Sequence, residues 1–185
     1  MELNKAMQGF HNVKKFNDKK PDWRDIIEAI DAARYAPMAG DNYTLKFILV
    51  DDKETIQKLA DAAQQPFISQ VHYVVVVCSN PLRTINLYEE RGKTYLKQQA
   101  GAGIQNLLLK LDEIGISSYW VRHFVDYLIK KELNIPDNIE VEALLPIGYE
   151  FEKQRIKKAP IDIDRILYFG KYGNKKMKMP KKLED

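Results

Sequence analysis

The spacing of apolar residues predicts that helices and short strands share this chain. After Asp22, a residue type that caps helices, apolar side chains recur at three- and four-residue intervals at Ile26, Ile30 and Ala33. Pro37 ends this helix, because the residue before a proline is pushed out of the α conformation. The same spacing predicts further helices at Ile56–Ala63, Asp126–Leu133 and, shorter, Asp162–Leu167.

Four apolar segments have the length of strands: Phe47–Val50, Val71–Cys78, Ser118–Val121 and Val141–Tyr149. The second is a nearly continuous β-branched run, which predicts a central strand covered on both faces. The fourth contains Pro146. Since proline cannot donate a ladder hydrogen bond, this strand is expected to lie at an edge or to carry a bulge.

A long helix is predicted from Tyr88 or Lys93 to Ile114, with Gly115 in the position that commonly ends a helix. The residues from Asn80 to Lys93 are expected to form an irregular segment before it. In the helix centre, Ala100–Gly103 contains two glycines, each of which costs about 1 kcal/mol relative to alanine. Either another helix packs closely there, in this subunit or from a second one, or the helix centre is weak.

Length and composition favour a single globular domain with an α+β fold. The chain has 185 residues, of which 45% are hydrophobic and 30% charged. The net charge of +3 does not require a polyanionic partner, and the basic excess lies mostly in the C-terminal tail. No apolar stretch has the length of a membrane span, and the start lacks a signal-peptide core, so a cytoplasmic protein without a membrane partner is expected.

Motifs that would define a reaction are not found. There is no GxGxxG or P-loop sequence, and His11, His72 and His123 lie too far apart to suggest a metal site. The single cysteine, Cys78, follows four valines and is predicted to be a buried small hydrophobe. The segment Phe10–Phe16 combines an imidazole, an amide and two ammonium groups, so it is either a phosphate-binding arm or a solvated charge run.

The order of five segments resembles the nitroreductase family, the homodimeric oxidoreductases that use flavin mononucleotide (FMN). The segments that carry the resemblance are His11–Phe16, Ala32–Asn42 with the strand after it, Ala62–Ile68, Gly101–Leu109 continuing to Val121, and Leu145–Tyr149 with the basic turn before Pro160. Each segment alone is a weak signal. Their common order and spacing extend over about residues 4–168, nearly the whole chain.

This resemblance implies a three-layer α+β fold, with a central mixed sheet of about four to five strands between helices. It implies a cofactor-binding domain at residues 1–168, a basic tail at 169–185 and a homodimer with FMN at the interface. NAD(P)H would donate hydride to the flavin, and a small acceptor such as a nitroaromatic or quinone would then take two electrons by a ping-pong mechanism. No catalytic side chain and no metal are implied.

Cofactor contacts are implied by the resemblance at the matching positions. The opening arm and the basic turn would hold the phosphate, the loop from Pro37 to Asn42 would cover the flavin of the other subunit, and the segment ending at Arg122 would offer a backbone N–H near flavin N5. The residues so implicated are His11, Asn12, Lys14, Pro37, Met38, Ala39, Gly40, Asn42, Gln65, Trp120, Val121, Arg122, Lys157 and Lys158.

Some positions depart from the family pattern. Phe10 replaces an arginine, Asn12 replaces a serine, and Arg122-His123 stand where relatives often have glycine. A charged hydrogen bond contributes about 1.5–3 kcal/mol, so losing the arginine removes a substantial phosphate contact. These departures leave open a relative that senses a ligand or works without cofactor. A third alternative, a small basic domain that binds nucleic acid, is suggested by the basic tail at Lys171–Lys182.

Overall fold

The computed structural model describes residues 3–152 and 161–177, and the chain divides into two compact units, residues 1–154 and 155–185. The first unit contains helices α1 (Leu3–Gly9), α2 (Trp23–Ala33), α3 (Lys53–Ala63), α4 (Leu82–Tyr88), α5 (Glu90–Glu113) and α6 (Asp126–Leu133). Its strands are β1 (Leu45–Val50), β2 (Tyr73–Ser79), β3 (Ser117–Ser118) and β4 (Glu140–Gly148). None of the helices in the described ranges is long and apolar enough to cross a membrane.

The strands form one sheet in the order β1-β2-β4-β3, and each neighbouring pair is antiparallel. Val75 and Val77 of β2 face a core built with α2 and α5, whereas Val74 and Val76 face a core built with α3 and α6. Every residue of β2 is buried, as a strand covered on both faces requires. The predicted three-layer α+β fold with about four strands is thereby confirmed. The predicted mixed sheet is wrong, because the strands pair antiparallel throughout and the parallel pairing in the described residues is the isolated bridge Asn12–Ser118.

Cys78 lies on β2 and is buried, as predicted from the valines before it. Burial, together with the negative charges of Glu142 and Asp126, raises the pKa of its thiol to about 11. A thiol with so high a pKa is almost entirely protonated near neutral pH and is a poor nucleophile. The prediction of an inert, buried cysteine is confirmed.

The prediction of an irregular segment between β2 and the long helix is wrong. Residues 82–88 form α4, which is separated from α5 only by Glu89, a residue with a left-handed φ of 50°. The Asn80 side-chain oxygen accepts a hydrogen bond from the Leu82 N–H at 3.2 Å, at the start of α4. Asn and Pro directly before a helix are a known start signal, so the sequence contained this information.

The prediction that Pro146 lies at an edge or a bulge is also wrong. β4 is an internal strand between β2 and β3, and the only register shift in its pairing with β2 among the described residues lies at Val77/Cys78. Leu144, two residues earlier, exchanges both backbone hydrogen bonds with Val121. Because alternate residues of a strand face the same neighbour, the Pro146 nitrogen faces the stretch between Ser118 and Val121, where strand pairing is interrupted.

Because of this interruption, the predicted strand Ser118–Val121 is not continuous in the structure. β3 contains only Ser117 and Ser118, and the chain returns to β4 through a single bridge at Val121. Tyr119 and Trp120 therefore leave the ladder, and their side chains lie against opposite cores of the sheet. The departure creates the surface described below as the candidate site.

The small residues in the centre of α5 have two different environments. A Cβ at Gly103 would lie 2.6 Å from Leu45 Cδ1 and 3.5 Å from the Ala33 carbonyl oxygen, so this glycine allows β1 and α2 to approach α5 closely. A Cβ at Gly101 would meet no atom within 4 Å. Close packing within the subunit therefore explains Gly103 but not Gly101.

In the second unit, α7 (Ile163–Ile166) confirms the predicted short helix. The chain after it is closed by two hydrogen bonds between Phe169 and Asn174, each of 2.8 Å. The Lys175 ammonium donates to the carbonyl oxygen of Asp164 and lies 4.0 Å from the Tyr168 ring centroid. The structure divides the chain after Gln154. A cofactor-binding domain that extends to Tyr168 stays a prediction.

Candidate cofactor site

The arm, residues Phe10–Phe16, is attached to the edge of the sheet. Asn12 forms a parallel bridge with Ser118, and the Val13 N–H donates to the Ser118 carbonyl oxygen at 3.0 Å. Phe16 forms a second bridge, with Glu150. Val13 and Phe16 are buried while Lys14 between them is exposed, so the arm directs Lys14 away from the core.

His11 and Asn12 of the arm form contacts inside the subunit. The His11 ring nitrogens lie 3.0 Å from the Gly9 carbonyl oxygen and 3.2 Å from Glu150 Oε1. Burial lowers the pKa of His11, but the hydrogen bonds to Gly9 and Glu150 and the charges of Glu150 and Asp112 outweigh it, so its pKa is raised. A protonated His11 is thus held by a carboxylate of its own chain, which competes with any phosphate.

Lys14 lies over a pair of aromatic rings. Its ammonium nitrogen is 5.2 Å from the Tyr119 ring centroid and 5.6 Å from that of Phe67, and the two centroids are 5.0 Å apart. Gln65 precedes the short 3-10 turn, Pro66–Gln70, that carries Phe67. Lys14 therefore lies beside Tyr119 of the segment after β3, and Gln65 lies two residues before Phe67 in the chain. Phe67 and Tyr119 were not predicted site residues.

The segment from Ser118 to Arg122 has an uneven hydrogen-bond pattern. The Trp120 N–H donates to Asn12 Oδ1 at 3.0 Å, and the Val121 N–H donates to the Leu144 carbonyl oxygen at 3.0 Å. Within the described residues, the Arg122 N–H has no acceptor. Of the three backbone donors implied to lie near flavin N5, the first two serve the fold, which leaves Arg122.

Two side-chain groups of the same segment are buried without a hydrogen-bond partner in the described part of the chain. They are Ser118 Oγ and the indole Nε1 of Trp120. Buried polar groups are normally paired, so unpaired ones often mark a site completed by a ligand. The Trp120 indole packs against the opposite core from Tyr119, so it lies on the other face of the sheet from the rings under Lys14. The ammonium over aromatic rings and the Arg122 N–H fit a planar anionic group with polar edges, such as FMN.

The predicted cover loop, residues 37–42, has a defined shape within its own subunit. Ala39–Asp41 form one 3-10 turn in which Gly40 and Asp41 have φ values of 57° and 50°. A Cβ at Gly40 would lie 2.6 Å from the Tyr88 hydroxyl oxygen, so only glycine fits this turn against α4. Of the other implicated loop residues, Pro37 and Met38 are exposed and Ala39 is half-buried.

Asn42 ends the loop with a contact that holds it to α4. Its side-chain amide donates to Thr84 Oγ1 at 2.8 Å. Two residues later, the Thr44 N–H and hydroxyl both donate to Gln99 Oε1 of α5, at 2.9 and 2.5 Å. Thr84 and Gln99 could not be found from the sequence, because α4 is not predicted by the apolar pattern and a polar residue on a long helix has no distinguishing pattern. Lys157 and Lys158, the predicted phosphate contacts of the basic turn, lie outside the described residues.

The fold and the site define a class: a three-layer α+β protein with an ammonium over an aromatic pair at the edge of its sheet. Comparison with known proteins identifies the family. The model of the nitroreductase family matches residues 11–70 and 61–149. The chain belongs to the nitroreductase family.

Individual relatives are similar over most of their length. A protein of Archaeoglobus fulgidus, provisionally named NADH dehydrogenase/NAD(P)H nitroreductase, is 27% identical over 75% of this chain and 79% of its own. An iodotyrosine deiodinase of Thermotoga neapolitana is 22% identical over 74% of this chain and 82% of its own. The crystal structure of a nitroreductase family protein from Clostridium novyi superposes with a TM-score of 0.74, at 26% identity, and covers 94% of this chain and 96% of that one.

Proposed function

We propose that this oxidoreductase of the nitroreductase family binds FMN in the cleft between the arm, the turn at Gln65 and the segment Ser118–Arg122. The supporting observation is that Lys14 lies over the Tyr119 and Phe67 rings, beside a segment in which the Arg122 N–H has no acceptor among the described residues. When bound, FMN supplies the redox chemistry, accepting hydride from NAD(P)H and passing two electrons to a small acceptor in a ping-pong cycle.

The chain's own residues bind and orient the cofactor in this proposal. Lys14, from the arm, would supply positive charge for the FMN phosphate, and the Arg122 N–H would donate to the flavin edge near N5. Asn12 acts indirectly, because its side chain fixes the Trp120 backbone next to that edge. No side chain is required to act as acid or base, in agreement with the sequence.

A homodimer completes the proposed site. The loop from Pro37 to Asn42 is held to α4 and α5 of its own subunit, and it is proposed to cover the flavin of the partner. The open space at Gly101 gives the second subunit room on α5. Gly101→Leu should therefore convert dimer to monomer in sizing chromatography, and a Gly101→Leu protein that stays dimeric would exclude this surface from the interface.

The test is titration of FMN into the cofactor-free protein, followed by absorbance and fluorescence. Lys14→Ala should raise the FMN dissociation constant about tenfold, the effect expected for one partly screened charged contact. Lys15→Ala is the matched control, since Lys15 lines a different cleft, of 890 Å³, together with Lys53 and His72. Equal effects of the two substitutions would mean that Lys14 attracts FMN only through net charge.

The ping-pong order needs a separate measurement. Anaerobic mixing of the yellow protein with NADH or NADPH should bleach the flavin band without acceptor present, and a later addition of acceptor should restore the band. If the protein is colourless once unbound FMN has been removed, the cofactor proposal is refuted and the ligand-sensing alternative is favoured. A family that includes an iodotyrosine deiodinase does not fix the acceptor, so a panel of nitroaromatics, quinones and free flavins is required.

A further inference from the structure

Arg122 has a charge that the described part of the chain does not neutralise. Its guanidinium carbon lies 5.4 Å from the Trp120 ring centroid, and the side chain forms no ion pair with a described residue. The other arginines that lie over an aromatic ring differ in this respect. Arg24 pairs with Asp22 at 3.5 Å, and Arg34 pairs with Asp31 at 3.1 Å.

The backbone that carries Arg122 is fixed on both sides. Trp120 is bonded to Asn12, Val121 exchanges two hydrogen bonds with Leu144, and the Val125 N–H donates to the Ala62 carbonyl oxygen at 2.8 Å. Contact with the indole further restricts the side chain. A guanidinium restricted in this way loses little conformational entropy when it binds a ligand, and its planar fork matches a carboxylate in a bidentate geometry.

From these observations we infer that Arg122 determines specificity by selecting electron acceptors that carry a carboxylate over neutral acceptors of the same shape. The inference rests on the proposed function, because it places the acceptor beside the FMN edge that the Arg122 N–H contacts. One residue then serves two purposes: its backbone orients the cofactor and its side chain binds the anionic group of the acceptor.

The test compares 4-nitrobenzoate with its neutral isostere 4-nitrobenzamide. Protein loaded with FMN is reduced with donor under anaerobic conditions, and the second-order rate constant of reoxidation is measured for each acceptor. In Arg122→Gln the ratio of benzoate to benzamide rate constants should fall about tenfold, whereas Arg122→Lys should retain part of the preference. Arg24→Gln, which alters an arginine over a tryptophan elsewhere, is the matched control and should leave the ratio unchanged.

A binding measurement separates this inference from the proposed function. Saturation-transfer NMR should show that 4-nitrobenzoate binds more tightly than 4-nitrobenzamide, and that Arg122→Gln removes the difference. Equal binding of the two probes, or an unchanged ratio in Arg122→Gln, overturns the inference even if FMN binds and is reduced. If Arg122→Gln changes only the rate at which NADH or NADPH reduces the flavin, the inference is also overturned, because the guanidinium would then bind the phosphates of the donor. Failure to bind FMN at all refutes the proposed function by a different observation.

Discussion

Gln99→Leu tests whether a buried polar network holds the cover loop. Gln99 is only 4% exposed and Thr44 only 3%. Gln99 Oε1 accepts from the Thr44 N–H and the Thr44 hydroxyl, and Gln99 Nε2 donates to the Asn42 carbonyl oxygen at 3.4 Å. Leucine has nearly the volume of glutamine, so the substitution leaves no large cavity. It removes the one acceptor that both Thr44 donors use.

The expected loss follows from the two stranded donors. Each buried group left without a partner costs about 1–3 kcal/mol, and the Thr44 hydroxyl can rotate toward another acceptor, so the total is about 2–4 kcal/mol. For a chain of this size, each kcal/mol lowers the midpoint of thermal unfolding by about 2–4 °C, which gives a decrease of about 5–15 °C. The measurement is a thermal unfolding curve without FMN at one protein concentration, because ligand binding and self-association shift the midpoint by mass action.

Gln98→Leu is the matched control. Gln98 is the preceding residue of α5 and is exposed, and leucine and glutamine have similar helix propensities, so the midpoint should change little. Because the network holds residues 42–44, Gln99→Leu should also weaken FMN binding to the folded protein. If Gln99→Leu unfolds within about 1 °C of the unmodified chain, water or a rearranged Thr44 satisfies the donors and the network does not hold the loop.

Two further predictions concern packing and pH. Gly103→Ala should lower the free energy of unfolding, because contact of the new methyl with Leu45 costs about 1–3 kcal/mol, which offsets or exceeds the gain in helix propensity of about 1 kcal/mol. The control is Gly101→Ala, because a methyl at Gly101 meets no atom of its own subunit within 4 Å. If urea unfolding shows equal effects of the two substitutions, this account is wrong. The folded-state pKa of His11 is raised, so its contribution to stability is fully present below the ordinary value of 6.5 and is lost as pH rises through the higher folded value. The stability difference between the unmodified chain and His11→Gln should therefore shrink from pH 6 to pH 9 by about the amount linked to the shift, and a constant difference would show that protonation does not matter.

Much of the fold follows from local patterns in the sequence. The run Val74–Val77 predicts a fully covered strand because each face of β2 meets a helical layer, and the structure places alternate valines in separate cores. Asp22 predicts the start of α2, and its carboxylate does accept the Arg24 N–H at 2.9 Å. These elements are predictable because neighbouring residues alone determine capping and apolar periodicity.

Other features depend on contacts between distant residues, which local patterns do not contain. Pro146 lies inside the sheet only because Tyr119 and Trp120 leave the ladder opposite it. Phe67 and Lys14, far apart in sequence, meet through Tyr119, and no spacing rule connects the three. The family resemblance assigned cofactor contacts by position, and it could not show which of those groups the fold itself uses.

In the arm, the position of a residue in the family pattern does not determine which group it contacts. Val13 and Phe16 anchor it in the core, and Lys14 between them is exposed. His11 bonds to Glu150 and Asn12 bonds to the Trp120 backbone, so both stabilise the framework around the cleft. Substitutions at these two positions should therefore change FMN affinity by displacing Lys14 and Trp120. Loss of Lys14 should change FMN affinity directly, with little effect on stability.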